Sequence, residues 1–326
     1  LFDEVRVTLP DRPESAAVKG NNDMVALIAN AIRDRERPLR EDLSIGFGLV
    51  RLRITVAESR QIVREARRRY RRHNAARSYV ENEFFAALAR SHSSEPDPEN
   101  VQYRLRRDPK ISEALERMWP VLTPAQLLRD LFGSKALLAS ASTGLLSEDK
   151  WSTLFRPRGD SVSDYRWSDA DVPLLDEAYA GLGPRLDRQR KPRDPEVRTF
   201  GHIVIDETQD HTPMALRMIA RRSLNGSMTL VGDIAQATAP GAAANWEEVL
   251  THLPSGSNEP RVRELTLSYR IPAPNLELAN KVLALAAPDL ATPKAVRSVG
   301  SPPRIIEVDG GELAPIERLV ERSVEI

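Results

Sequence analysis

Asp206 and Glu207 stand directly after Ile203-Val204-Ile205, with Gln209 and Asp210 close behind. A β-branched run ending in two adjacent carboxylates predicts a strand buried on both faces. Its acids then sit at the sheet edge where open α/β sheets bind ligands. Two carboxylates placed there suit Mg²⁺ beside a nucleotide γ-phosphate, and one of them suits proton removal from the attacking water. The plainer alternative is a solvated acidic pair at a strand end. The β-branched run and the neighbouring Gln209 and Asp210 weigh against it.

Two later segments have related chemistry. Val231-Gly232-Asp233-Ile234-Ala235-Gln236 also follows an apolar run. Gly232 lets the backbone turn tightly beside a phosphate, and Asp233 and Gln236 can hydrogen-bond the water on its flank. Leu265 to Arg270 ends in Tyr269-Arg270, just before Ile271-Pro272. A guanidinium never deprotonates and has a fixed fork, so Arg270 suits developing phosphoryl charge. Taken singly, the first is an ordinary Gly-Asp turn and the second an exposed arginine.

The elements that must hold these residues follow a strand–helix alternation. His202–Asp206 reads as a strand, Pro213–Arg222 as a helix, Asn225-Gly226 as a turn and Met228–Val231 as a strand. Trp246–Leu250 reads as a helix, Val262–Leu267 as a strand, Asn275–Ala286 as a helix and Arg304–Val308 as a further strand. Such alternation predicts a parallel sheet with helices on its faces.

Upstream, the alternation in Val5–Leu9 predicts a short strand. Residues 21–36 predict a helix capped by Asn22, with Met24, Leu27, Ile28, Ala31 and Ile32 on its apolar face. Ser44–Thr55 predicts a hairpin with glycine at the turn, and 58–91 a helical stretch broken near Asn74. Residues 93–110, rich in Ser, Pro and Asp, predict an exposed loop. Helix starts are signalled at Thr123-Pro124, Ser147, Ser168 or Asp169, and Thr212-Pro213, the first of these helices ending at Gly133. Residues 184–198 read as polar and exposed.

Length and composition bound the reading. A chain of 326 residues suggests about two domains. Lys plus Arg and Asp plus Glu both number 47, so overall charge points to neither nucleic acid nor membrane. Cysteine is absent, which excludes disulfides and thiolate metal sites and fits a reducing cytoplasm. No apolar run approaches the ~18–20 residues that span a bilayer. Charge is uneven locally. From Arg51 to Val80 there are ten arginines, including Arg64, Arg67, Arg68, Arg71 and Arg72, against Glu58 and Glu65. Between Ser140 and Ala180, eight acids, among them Glu148, Asp149, Asp160 and Asp164, face four bases. Both stretches are candidate partner surfaces, and both read equally as solvated charge.

In order, the acidic pair, Gly-Asp-x-x-Gln and Tyr-Arg resemble motifs II, III and IV of superfamily-1 helicases of the UvrD/Rep type. The resemblance implies an α/β fold: part of a RecA-like P-loop NTPase sheet, a large mainly helical insertion, and the start of a second RecA-like domain. It implies ATP and Mg²⁺ as cofactors, with Asp206 and Glu207 on the metal and Glu207 activating water. Gln236 would couple nucleotide state to the partner strand, and Arg270 would reach the γ-phosphate. Gln209, Gly232, Asp233 and Tyr269 would complete the nucleotide surround. Thr208 stands where that family often has Ala. No G-x-x-x-x-G-K-[ST] phosphate loop occurs in the sequence, so the expectation is an internal fragment that does not hydrolyse ATP alone.

Trp119-Pro120-x-Leu122-Thr123-Pro124, Leu127-Leu128-x-x-Leu131-Phe132 and Trp167 through Glu177 look like HelD, the helicase-like ATPases that bind and recycle bacterial RNA polymerase. The Pro- and Arg-rich character is most similar to actinobacterial members, including the rifampicin-resistance type. That resemblance implies residues 1–40 and 119–255 in the first RecA-like domain. It places a clamp-opening insertion at 41–118, an acidic loop for the polymerase channel at about 144–172, and the start of the second domain at 256–326. Core RNA polymerase is then the expected partner, with DNA a further one, in a cytoplasmic, nucleoid-associated setting without membrane contact. The rival expectations are a conventional 3′–5′ DNA helicase and a non-catalytic polymerase-binding module.

Overall fold

The computed structural model describes residues 7–158, 165–185, 197–237, 243, 245–253, 259–288, 290–301 and 303. It is an α/β chain in which helices predominate, divided into two compact units, Leu1–Asn258 and Glu259–Ile326. No helix among the described residues is long and apolar enough to cross a membrane.

The first unit opens with β1 (Val7–Leu9), α1 (Pro13–Gly20) and α2 (Asp23–Arg33). Met24, Leu27, Ile28, Ala31 and Ile32 recur at helical spacing on α2, and all are buried. Asn21, not Asn22, closes its N-terminus: Asn21 Oδ1 accepts the Asp23 N–H at 2.8 Å. Asn22 has a helical backbone (φ −63°, ψ −18°), whereas a capping side chain is presented from an extended one.

An arm follows. Strands β2 (Leu43–Phe47) and β3 (Val50–Ile54) pair antiparallel, and Phe47 faces Val50. The two-residue turn needs a positive φ, which Gly48 supplies at +61°. Helix α3 (Val56–Arg69) begins at a capping box formed by Thr55 and Glu58. A single turn at Asn74–Ala76 separates it from α4 (Arg77–Arg90), where the sequence predicts a break.

The predicted loop over 93–110 is instead mostly helical, with α5 (Pro98–Leu105) and α6 (Pro109–Met118). Its Asp-Pro pairs are helix starts. Asp97 and Asp108 accept backbone N–H groups of Asn100 and Lys110, and each proline occupies a first position that needs no donor. Val101, Leu105, Ile111, Leu115 and Met118 are buried, and that burial holds the two helices. The arm has its own hydrophobic core, running from Leu39 to Trp119.

The chain then rejoins the body through α7 (Pro124–Phe132), α8 (Lys135–Ala141) and α9 (Glu148–Ser152). Thr123 and Gln126 form a capping box before α7, and Gly133 ends it. Strand β4 (Trp167–Ser168) pairs parallel with β1 and leads into α10 (Val172–Leu182). A second core joins α2, α7, α8 and α10 through Leu27, Leu128, Phe132, Leu138 and Leu174, with Trp167 of β4.

Where arm meets body, buried polar groups are matched. Asn74 Nδ2 donates to the carbonyls of Leu122 (3.0 Å) and Gly183 (2.9 Å), while its Oδ1 accepts the Leu122 N–H. The Arg37 N–H donates to the Met118 carbonyl at 3.0 Å, tying the arm's two ends together.

Strand β5 (Ile203–Ile205), helix α11 (Pro213–Ala220), strand β6 (Met228–Leu230) and helix α12 (Trp246–Thr251) complete the described part of this unit. β5 and β6 pair parallel, Ile203 with Met228 and Ile205 with Leu230. The strand is not buried on both faces. Ile205 points inward, but Val204 is 66% exposed. The sheet is two strands wide, and nothing among the described residues covers the face that bears Val204 and Thr229.

In the second unit, β7 (Leu267–Ser268), α13 (Ala273–Ala286) and β8 (Lys294–Ala295) form a parallel pair with a crossover helix. The strand predicted over Val262–Leu267 shrinks to Leu267–Ser268, and Val262 and Leu265 lie exposed. Its only partner among the described residues is the two-residue β8, so the ladder ends after two pairs. The strand predicted at Arg304–Val308 lies outside the described residues, as does most of 184–198.

Candidate functional site

Parallel pairing of β5 and β6 places the acidic motif and the Gly-Asp-x-x-Gln loop side by side at one sheet end. The Val231 N–H donates to the Ile205 carbonyl (2.8 Å), and the Thr208 N–H donates back to the Val231 carbonyl (2.9 Å). Thr208 is fully buried, and its Oγ1 donates to the same Val231 carbonyl at 2.9 Å. The hydroxyl that distinguishes Thr208 from alanine is therefore a stitch between the two loops.

Asp206 and Glu207 are exposed at this end. Asp206 Oδ1 accepts the Glu207 N–H at 3.0 Å. Glu207 adopts a left-handed backbone, φ +49° and ψ +44°, as the chain swings from strand into the short turn Thr208–Asp210. Only Glu95 shares a positive φ among the described non-glycine residues. Gln209 is buried rather than open to a ligand. Its Nε2 donates to Glu207 Oε2 (2.8 Å) and its Oε1 accepts the Asp233 N–H (3.0 Å). Asp233 in turn accepts from the Ala235 N–H (3.0 Å) and from Gln236 Nε2 (2.7 Å).

Six of the predicted site residues, Asp206, Glu207, Gln209, Gly232, Asp233 and Gln236, thus share one sheet end. Tyr269 and Arg270 belong to the second unit, where both are exposed just after β7.

Two exposed carboxylates with hard oxygen donors fit Mg²⁺ held by protein on one side and phosphate oxygens on the other. Among the described residues no group of three or more His, Cys, Asp and Glu side chains is gathered as a metal cage. Mg²⁺ does not require one when phosphates complete its shell.

Behind the site, α11 is bolted to α10 by ion pairs that no motif announces. Glu177 accepts from Arg217 Nε (2.8 Å) and also pairs with Arg221, while Asp176 pairs with Arg221 and Arg222. Burial pushes the Glu177 carboxyl up, but the Arg217 and Arg221 guanidiniums overcome it and leave it below its ordinary value. The signal was present in the sequence as acids at 176 and 177 and arginines at 217, 221 and 222.

The partner-surface candidates divide. Arg64 and Arg71 are exposed and make no ion pair with a described residue. Arg67 is committed to the body, with Nε on Glu36 Oε2 (2.7 Å) and Nη2 on the Arg33 and Glu36 carbonyls. Arg68 pairs with Glu65 at 2.8 Å on its own helix. Arg72 lays its stem against Gly183. Glu148 and Asp149 are exposed at the start of α9. Asp160 and Asp164 lie outside the described residues.

A scan against protein-family models finds no match, and a search of curated proteins finds no significantly similar sequence.

Proposed function

We propose that this chain is part of a helicase-like ATPase of the HelD type, acting on bacterial RNA polymerase. The observation that carries the nucleotide half of this reading is the shared sheet end of Asp206-Glu207 and Gly232-Asp233-x-x-Gln236. In the proposal, β5, α11 and β6 belong to a RecA-like sheet. The arm from Leu39 to Trp119, with its own core, is the insertion that acts on the polymerase clamp.

Bound Mg²⁺ would neutralise charge on the β- and γ-phosphates of ATP. Asp206 and Glu207 offer the carboxylate oxygens that hold it. Glu207 also takes the proton of the attacking water, and its exposed carboxylate leaves room for that water. Gln236 reads the state of the phosphate side from the neighbouring loop. The Tyr-Arg resemblance assigns Arg270 the role of meeting developing phosphoryl charge.

ATP turnover by the intact protein tests the first half. Glu207→Gln is expected to lower kcat by at least ~100-fold, and unchanged turnover rejects the assignment. Capture of purified core RNA polymerase by the intact protein tests the second half. Reversing the charge of exposed Glu148 and Asp149, or of Arg64 and Arg71, is expected to weaken capture, and no capture by the wild type removes the partner. A strand-displacement assay separates the conventional helicase, since this proposal expects little unwinding.

A further inference from the structure

We infer that Gln209 is a positioning residue that holds the candidate base Glu207 in register with the Gly232-Asp233 loop, so that movement of the loop changes the aim of the base. The inference rests on the nucleotide-hydrolysing reading of this site and adds to it a mechanical link between the two motifs.

The geometry is specific. Glu207 has a left-handed backbone, which disfavours any residue with a Cβ and persists only where surrounding contacts over-determine it. Three contacts do so here: the Asp206 carboxylate on the Glu207 N–H, the Thr208 stitches to Val231, and the Gln209 amide on Glu207 Oε2. Gln209 is 2% exposed, so neither end of its amide has water as a substitute partner.

Its two contacts also demand an amide. One end donates to a carboxylate and the other accepts a backbone N–H. Glutamate can do only the second, and a shorter asparagine cannot span both. Position 232 must stay bare for the link to exist: a Cβ there would lie 2.3 Å from Gln209 Oε1 and 3.0 Å from the Thr208 nitrogen. The hydrogen-bond chain therefore runs Glu207, Gln209, Asp233, Gln236, from the candidate base to the residue on the phosphate flank.

The test is steady-state ATP turnover by the intact protein carrying Gln209→Ala, Gln209→Glu, Gly232→Ala or the double change G232A/Q209A, with Glu207→Gln as reference. Each single change is expected to lower kcat ~10–100-fold with KM for ATP within about threefold, the signature of a misplaced group. The double variant is expected to be no slower than the worse single, because both changes break one link. Gln209→Glu keeps the acceptor but sets a buried carboxylate against Glu207 Oε2, so its thermal midpoint should fall together with kcat, and its turnover is read at a temperature where it is folded. Multiplying kcat losses, or normal kcat in Gln209→Ala while Glu207→Gln is dead, overturns the link and leaves the nucleotide reading intact. Turnover indifferent to Glu207→Gln overturns both.

Discussion

His73 lies flat on Trp119, ring centroids 4.9 Å apart and planes within 7° of parallel. The indole N–H donates to the His73 carbonyl at 2.8 Å, and the imidazole bridges Glu36 Oε1 and the Pro120 carbonyl. This stack sits at the root of the arm, beside the Asn74 contacts that join arm and body. Trp119→Ala is expected to cost ~3–5 kcal/mol, through the lost volume and the orphaned carbonyl. Urea unfolding followed by circular dichroism measures it. A loss below ~1 kcal/mol would mean that the root is not packed as described.

Lys19 and Asp171 are both fully buried and 2.8 Å apart, with Arg156 Nη2 on the same carboxylate oxygen at 2.9 Å. Asp171→Ala leaves buried Lys19 with Asp11 as its remaining carboxylate partner and is expected to destabilise by ~3–5 kcal/mol. Adding Lys19→Met should cost less than Lys19→Met does alone, since one of its two carboxylate partners is already gone. A double variant weaker than the single by the full cost of a second site would contradict the pairing.

Acid sensitivity should trace to Glu177 and Asp11. In each, burial raises the carboxyl and its hydrogen-bond and ion-pair partners lower it by more: Arg217 and Arg221 for Glu177, Lys19 and the donating Ser168 hydroxyl for Asp11. Both therefore end below their ordinary values of 4.5 and 3.8. A depressed folded value gives stability that is complete above the unfolded value and disappears as pH falls through the folded one. Stability should thus hold from neutrality to about pH 4.5 and decline below it. Glu177→Gln should be less stable at neutral pH and show a shallower acid decline, readable from thermal midpoints across a pH series.

Thr208→Ala deletes a buried hydroxyl that donates to Val231. The expected cost is ~1 kcal/mol, because the backbone N–H of Thr208 still satisfies that carbonyl. Turnover should stay within about twofold, which separates this stitch from the Gln209 link.

Local chemistry was legible where it is self-contained. Thr123-Pro124 with Gln126, the apolar face of α2 and the strand–helix–strand from Ile203 to Leu230 can each be read from neighbours within a few positions. The Asp97-Pro98 and Asp108-Pro109 pairs misled because the same dipeptide opens turns and helices. Only the burial of Val101, Leu105 and Ile111 in the arm's core decides between them. The exposure of Val204 was hidden for a related reason, since a strand does not state how many neighbours flank it. Gln209 and Asp233 are 24 positions apart, so their contact exists only once β5 and β6 have paired.

The arm leaves at Arg37 and comes home at Met118 within the reach of one amide. To the remaining polypeptide, such an excursion is no larger than a tight corner, whatever its length. The exposed turn at Leu49, far from that junction in sequence, is thus free to vary while the rest of the chain goes on folding as before.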